Sequence, residues 1–267
     1  VSRIATTFAS LRDKSQKAFI PFLMAGDPTL DLTKDLVLEA ERNGADIIEL
    51  GIPFSNPLAD GPTIQRAGKR SLAHRTNLKN IFNLVKDIRN ESQIPIVLMG
   101  YFNSIFNYGL DRLIKSCEEF GVDGLIIPDL PMGEDEELRN LSNGVDIISL
   151  VALNSSPKRI KELAENSQGF IYAVATLGTT GERGEVSKEV KEKVEEIKSL
   201  TSTPVAVGFG ISKPEHVKEV ASFADGVIVG SAIIKRLEEN LVLLEDDKIE
   251  LIKKVAQFIS TLTGTLN

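Results

Sequence analysis

Glu49 is the one charged residue in the run IIEL, close to the end of the segment DIIELG (46–51). A carboxylate in an apolar strand is costly to desolvate unless it is paired or used. It therefore reads either as a hydrogen-bonded core acid or as a general acid/base whose pKa its surroundings raise. The residues that follow, GIPFSNPLADGPTIQ (51–65), form a loop stiffened by three prolines and shaped by two glycines, and it carries Asp60. One loop thus delivers two carboxylates to one place. Such a pair can divide the labour, one acid titrating while the other stays ionised. Glycosidases use pairs of this kind as well, so the pair names no reaction by itself.

A second group lies towards the far end of the chain. LGTTGERG (177–184), GFGIS (208–212) and GSAIIK (230–235) are glycine turns, and the last opens a helical pattern. Glycine lets backbone N–H groups approach an anion, and a helix N-terminus adds partial positive charge. The two groups together suggest acid/base chemistry on a small phosphorylated substrate.

Something must hold these turns side by side. Short apolar runs recur at 18–26, 46–51, 94–100, 124–129, 146–152, 169–175, 203–209 and 225–230. Each is apolar on successive residues, as in parallel strands covered on both faces. Amphipathic stretches with helix signals alternate with them. Gly44 and Gly121 sit where left-handed C-caps are expected. Pro157 follows Ser156 at a helix start, Ser187 precedes KEVKEKVEEIKSL, and Pro214 follows Lys213 ahead of EHVKEVASF. In the tail, IELIKKVAQFISTL is expected to put Ile249, Ile252, Val255, Phe258, Ile259 and Leu262 on one packed face. Eight strands alternating with helices predict an α/β chain folded as a closed (β/α)8 TIM barrel with extra helices, a single domain over 1–267. Active sites of such barrels lie at the C-terminal ends of the strands, and phosphate commonly sits after strands seven and eight. An open doubly wound sheet is the alternative. It is disfavoured because GFGISK has Lys213 where a dinucleotide-binding turn needs its third glycine.

Composition excludes several classes. The chain has 267 residues with 31 basic and 38 acidic side chains, a net charge of −7 that repels nucleic acid. Its two histidines, His74 and His216, lie far apart in sequence, and the single cysteine, Cys117, sits beside Glu118 and Glu119. No metal site, disulfide framework or activated thiol is expected from that set. The apolar runs are too short for a membrane helix. The expected compartment is the cytoplasm, or a plastid stroma in a photosynthetic eukaryote.

The segment ELGIPFSNPLADGPTIQRA (49–67) resembles the signature region of the tryptophan synthase α-subunit family. The similarity continues, in order, through PFLMAGDP (21–28), MGYFNSIFNYG (99–109), GVDGLIIPDLP (121–131), GTTGERG (178–184), VGFGIS (207–212) and DGVIVGSAIIKR (225–236). That resemblance implies a barrel that cleaves indole-3-glycerol phosphate to indole and glyceraldehyde 3-phosphate. It also implies a partner β subunit in an αββα tetramer, which takes up the indole. Pyridoxal phosphate is then expected only in the partner, with no cofactor in this chain. By position, Glu49 matches the family's acid/base and Asp60 the carboxylate that accepts the indole N–H bond. Phe22, Ile64, Met99, Ile127, Tyr172, Thr180 and Phe209 become walls of an indole slot. Gly181, Gly210, Gly230 and Ser231 become the phosphate seat, the loop 177–190 a lid, and Pro53, Asn56 and Asn103 part of the partner face.

Two positions depart from the family pattern. Asn56 stands where Asp is usual, so a salt bridge to a partner lysine is lost, and Thr176 stands where many members carry Arg. Both bear on signalling between subunits and not on Glu49 or Asp60. The competing readings are a stand-alone lyase that releases free indole, a silent activator of the β subunit, and another phosphosugar barrel such as an epimerase.

Overall fold

A computed structural model of the chain describes residues 2–131, 133–142, 144–152, 154–174, 188–208 and 210–266. Nine parallel strands lie in one sheet: β1 (Ala18–Met24), β2 (Ile48–Gly51), β3 (Ile96–Met99), β4 (Gly124–Ile126), β5 (Asp146–Ile147), β6 (Ser149–Ala152), β7 (Ile171–Val174), β8 (Val205–Gly208) and β9 (Gly226–Val229). The order β5-β4-β3-β2-β1-β9-β8-β7-β6 brings the two edge strands back to adjacent positions in the chain. The run expected as one strand over 146–152 is therefore two, separated by Ile148. Its first half bonds β4 and its second half bonds β7, so the change of partner at Ile148 closes the barrel.

Strand parity sorts the side chains. Ala18, Ile20, Ile47, Val97, Ile126, Ile148, Phe170, Ala206 and Ile228 fill the inside. Alternate residues such as Phe19, Ile48, Leu50, Leu98, Leu125 and Val207 pack outwards under the helices. Because both faces are buried, the strands read as continuous apolar runs. Helix α1 (Arg3–Asp13) plugs the N-terminal end, with Ile4 and Phe8 joining the inner cluster and Phe8 stacked at a tilt on Phe170 at 5.8 Å.

The strand starts are tied at that same end by a repeated device. Asp46, Asp123 and Asp225 each accept the backbone N–H of a neighbouring strand's start: Phe19 at 2.8 Å, Ile96 at 2.8 Å and Val205 at 3.0 Å. Asp123 also holds Arg3 and Arg89 at 2.8 and 2.9 Å. Cys117 is fully buried in α6 (Leu110–Phe120), where burial pushes its thiol pKa up.

The helices match their sequence signals. The helix α2 (Leu30–Arg42) ends just before Gly44, whose φ is +93°. Helix α6 is capped by Gly121 at φ +83°, a left-handed conformation that costs glycine no Cβ clash. Ser156 caps α8 (Pro157–Asn166) by accepting from the Arg159 N–H, α9 spans Lys188–Leu200, and Pro214 opens α10 (Pro214–Ala221). Ser187 lies outside the described residues. The last helix, α12 (Lys248–Thr263), buries Leu251, Val255, Ala256, Ile259 and Leu262, with Ile252 and Phe258 partly buried. Ile249 departs from expectation: it is 66 % exposed. It lies in the first turn of the helix, and the buried stripe runs through Leu251 and Val255 instead.

Candidate active site at the C-terminal mouth of the barrel

Glu49 shares the inward parity of Ile47 and Gly51, beside Phe22 of β1 and Val97 of β3. It is only 1 % exposed, and among the described residues its Oε2 has no hydrogen-bond partner. Burial, reinforced by the negative charge of Asp60, pushes its pKa from 4.5 up to about 8. A carboxyl of that kind is neutral and proton-bearing at pH 7.

Asp60 is half-buried just before helix α3 (Pro62–Ala73), with Pro62 at the first position of that helix. Burial raises its pKa to about 6, and a hydrogen bond with Tyr101 pulls the other way. At neutral pH it is therefore mostly ionised. Two carboxyls within electrostatic reach are thus held in different protonation states.

Tyr101 is the residue that sequence reading missed. Its hydroxyl accepts the Ala59 N–H at 2.9 Å and meets Asp60, while its ring stacks on Phe54 at 5.2 Å. It fastens both ends of the Asp60 loop. The segment MGYFNSIF contains it, but nothing in that segment signals a contact some forty positions back.

Tyr172 faces inwards from β7, and the charges of both Glu49 and Asp60 add to burial in raising its pKa well above the ordinary value. Two glycines make room for the rings. A Cβ on Gly208 would lie 2.5 Å from the Tyr172 hydroxyl, and a Cβ on Gly51 would lie 2.5 Å from the Phe22 ring. Phe22 and Met24 form a small apolar cluster with Ala67 and Ile234, and Ile64 and Met99 pack against it. Three of the expected wall residues therefore meet in one place, which Phe22 brings beside Glu49. Ile127 does not join them; it packs into the outer core under the helices. Thr180, Phe209 and Gly181 lie outside the described residues, as does Thr176.

At the end of β9, on the other side of β1 from Glu49, Gly230 is the N-cap of helix α11 (Ser231–Asn240) and carries no side-chain cap. The first N–H groups of a helix lack partners within it. Gly230 also touches Phe22, since a Cβ there would come within 3.3 Å of the Phe22 Cβ. Gly210 takes φ +66° and is exposed, as is Ser231. Of the loop expected as a lid, residues 188–190 open α9 and the stretch 177–187 is not described. Pro53 is buried, whereas Asn56 and Asn103 are exposed, and Asn103 accepts a 2.7 Å bond from Asn107. Near them Leu58 and Phe106 are 85 % and 64 % exposed. Among the described residues no group of His, Cys, Asp and Glu is placed to hold a metal ion, and no helix is long and apolar enough to cross a membrane.

The fold and the site together define a (β/α)8 barrel with a divided pair of acids at its mouth beside a helix N-terminus. Residues 8–264 match the family model described as tryptophan synthase alpha chain. The chain is 43% identical over 264 residues to the tryptophan synthase alpha chain of Petrotoga mobilis, covering 98% of this chain and 99% of that one. It is 44% identical to the corresponding chain of Caldanaerobacter subterraneus subsp. tengcongensis, with both covered completely. Among solved structures it is similar to tryptophan synthase subunit alpha from Legionella pneumophila, with a TM-score of 0.90 and 33% identity over 100% of this chain and 98% of that one. A chain of tryptophan synthase from M. tuberculosis, in an aminoacrylate-bound form, superposes with a TM-score of 0.87 at 30% identity, both chains being covered completely. The chain belongs to the tryptophan synthase alpha chain family.

Proposed function

We propose that the chain cleaves indole-3-glycerol phosphate to indole and glyceraldehyde 3-phosphate by a retro-aldol reaction. The observation that carries this is the inward-facing Glu49 carboxyl, proton-bearing at neutral pH, beside an Asp60 that is ionised. Glu49 gives its proton to the ring carbon that bears the glycerol chain. Asp60 accepts the indole N–H bond and stabilises positive charge on that nitrogen as the ring is protonated. The Glu49 carboxylate then takes the proton of the adjacent glycerol hydroxyl. The carbon–carbon bond breaks, its electron pair restores the aromatic ring, and the hydroxyl carbon leaves as an aldehyde.

The slot formed by Phe22, Ile64, Met99 and Tyr172 suits a flat heterocycle. The turn at Gly210 and the α11 start at Gly230 and Ser231 suit the phosphate, with Gly181 assigned there from the sequence alone. The chain itself needs no cofactor for these steps. Its partner in this reading is a pyridoxal-phosphate-bearing β subunit in an αββα assembly. That partner seats on the exposed face of Asn56, Leu58, Asn103 and Phe106, where Asn56 offers no charge to a partner lysine and buried Pro53 shapes the loop from within.

The test is to incubate the purified chain with indole-3-glycerol phosphate and assay indole, with and without a β subunit. Indole release that rises on adding the β subunit, and that is lost in Glu49→Gln, is expected. No indole in either arm overturns the reading.

A further inference from the structure

Three charged groups lie on the same end of the barrel as the site but take no part in the chemistry above. Asp27, in the loop after β1, is 1 % exposed. Arg70, near the end of α3, donates to both of its carboxylate oxygens, from Nε at 2.6 Å and from Nη2 at 2.8 Å. The third guanidinium nitrogen, Nη1, donates to Glu238 of α11 at 2.7 Å. Arg66, one turn earlier on α3, also grips Glu238, but its side chain is half in solvent.

Burial raises the Asp27 pKa even with Arg70 against it, whereas the two arginines hold Glu238 down at about 2. A buried pair of this kind is weak as a source of stability, because desolvation cancels much of the attraction. What it supplies is geometry. A planar guanidinium that donates in two directions fixes angle as well as distance, which a lysine cannot do.

The elements it joins are the two that bear opposite ends of the site. Helix α3 begins two residues after Asp60, and Gln65 in its first turn donates to the Asp60 carbonyl at 2.9 Å. Helix α11 begins at Ser231, next to Gly230. Besides this bridge, the helices are joined by the half-exposed Arg66–Glu238 ion pair and by a small apolar contact of Ala67 and Ile234 with Phe22 and Met24. Smooth apolar contacts of that size do not set a register.

We propose that the Asp27–Arg70–Glu238 bridge is a positioning device that fixes the span between the Asp60 carboxylate and the helix start at Gly230 and Ser231. This rests on the functional reading above, in which one molecule engages both places. A substrate whose ring and anionic tail are covalently joined meets both seats only if their separation is held. Loose seats still accept the separate pieces, but they lose the gain from linkage and alignment.

The experiment compares wild type, Arg70→Lys and Glu238→Gln. It measures kcat and KM for indole-3-glycerol phosphate, Kd for indole and for glycerol 3-phosphate separately, and the melting temperature. Arg70→Lys is expected to lose about tenfold or more in kcat/KM, a change of about 1.4 kcal/mol. Affinity for each fragment is expected to stay within about twofold, with the chain folded at the assay temperature. Glu238→Gln keeps the shape and is expected to shift the same way by less. Unchanged kcat/KM in Arg70→Lys overturns the proposal. So does a loss matched by weaker glycerol 3-phosphate binding alone, which would make Arg70 part of the phosphate seat.

A second readout is independent of turnover. Spin labels on cysteines replacing the exposed Lys69 and Lys235 report the α3–α11 separation. A broader distance distribution in Arg70→Lys is expected, and an identical one overturns the bridge. If wild type releases no indole, the functional reading fails while this distance still decides whether the bridge sets the span.

Discussion

Glu49 and Asp60 illustrate how one residue type can be given two jobs. Both are carboxyls, but Glu49 is sealed inside the barrel and Asp60 sits at the rim with a phenol hydroxyl to bond it. Replacing Asp60 with Asn keeps the shape and removes the charge that would stabilise a protonated indole. The expected cost is about 3 kcal/mol of transition-state stabilisation, or roughly a hundredfold in kcat/KM. Steady-state kinetics of the variant with the β subunit present checks it, and wild-type rates would refute the role. The raised pKa of Glu49 has a consequence for stability too. Its value goes from 4.5 in the unfolded chain to about 8 in the fold, so the native state binds more protons between those limits. Stability from this group is full below about pH 4.5 and is lost as pH rises through about 8. Asp60 adds the same sign between 3.8 and about 6. Glu49→Gln is therefore expected to be more stable than wild type at pH 9 and to converge on it at pH 5, as read from urea unfolding at each pH. The alkaline limb of wild-type kcat/KM should fall near pH 8, where the acid is lost.

At the scale of elements, strand parity does the sorting. Glu49, Tyr172 and Gly208 face the barrel axis because each lies two residues beyond an inward neighbour: Ile47, Phe170 and Ala206. Glycine at the ends of β2 and β8 is what leaves room for the Phe22 and Tyr172 rings. A methyl at 208 would strike the Tyr172 hydroxyl at 2.5 Å, so the ring must swing away. Gly208→Ala is expected to cost about 1–3 kcal/mol of stability from overpacking and to raise KM more than it lowers kcat. Calorimetry and kinetics on the same preparation separate the two effects. A variant with native KM would show that Tyr172 does not line the substrate. The exposed Leu58 and Phe106 sit on elements that Tyr101 holds together through Ala59 and Phe54. The rim of the site and the outer face proposed for the partner are thus joined through Tyr101, which gives a direct physical route between them.

For the whole molecule, the two ends of the barrel have different work. The N-terminal end is closed by α1 and tied by buried aspartates, and no residue assigned to the site lies there. Asp123→Ala would leave the largely buried Arg89 without its carboxylate, held only by the carbonyls of Gly121, Ser92 and Ile94. The expected cost is about 3–5 kcal/mol of stability, while kcat/KM per folded molecule stays within about twofold. Denaturant unfolding beside active-fraction-corrected kinetics tests this division. A large catalytic loss in fully folded protein would contradict it.

Much of this architecture was legible in one dimension. Apolar runs of six to nine residues betray strands buried on both faces, and Gly121, Ser156 and Pro214 mark helix ends by local backbone and capping chemistry. Glu49 stood out because an acid in an apolar strand needs a reason. Ile249 misled because a helical wheel drawn at the start of α12 does not know which side the core occupies. The break at Ile148 was invisible because a change of strand partner depends on two distant neighbours, β4 and β7. Tyr101 and the Asp27–Arg70–Glu238 bridge were hidden for the same reason, since Glu238 lies 168 positions from Arg70. By itself the sequence determined the elements, their order and the two acids, because periodicity, capping and desolvation act over a few residues. Only the tertiary structure decided which side chains share the mouth, which protonation state each acid holds, and what fastens them, because burial and charge coupling exist only once distant segments have met.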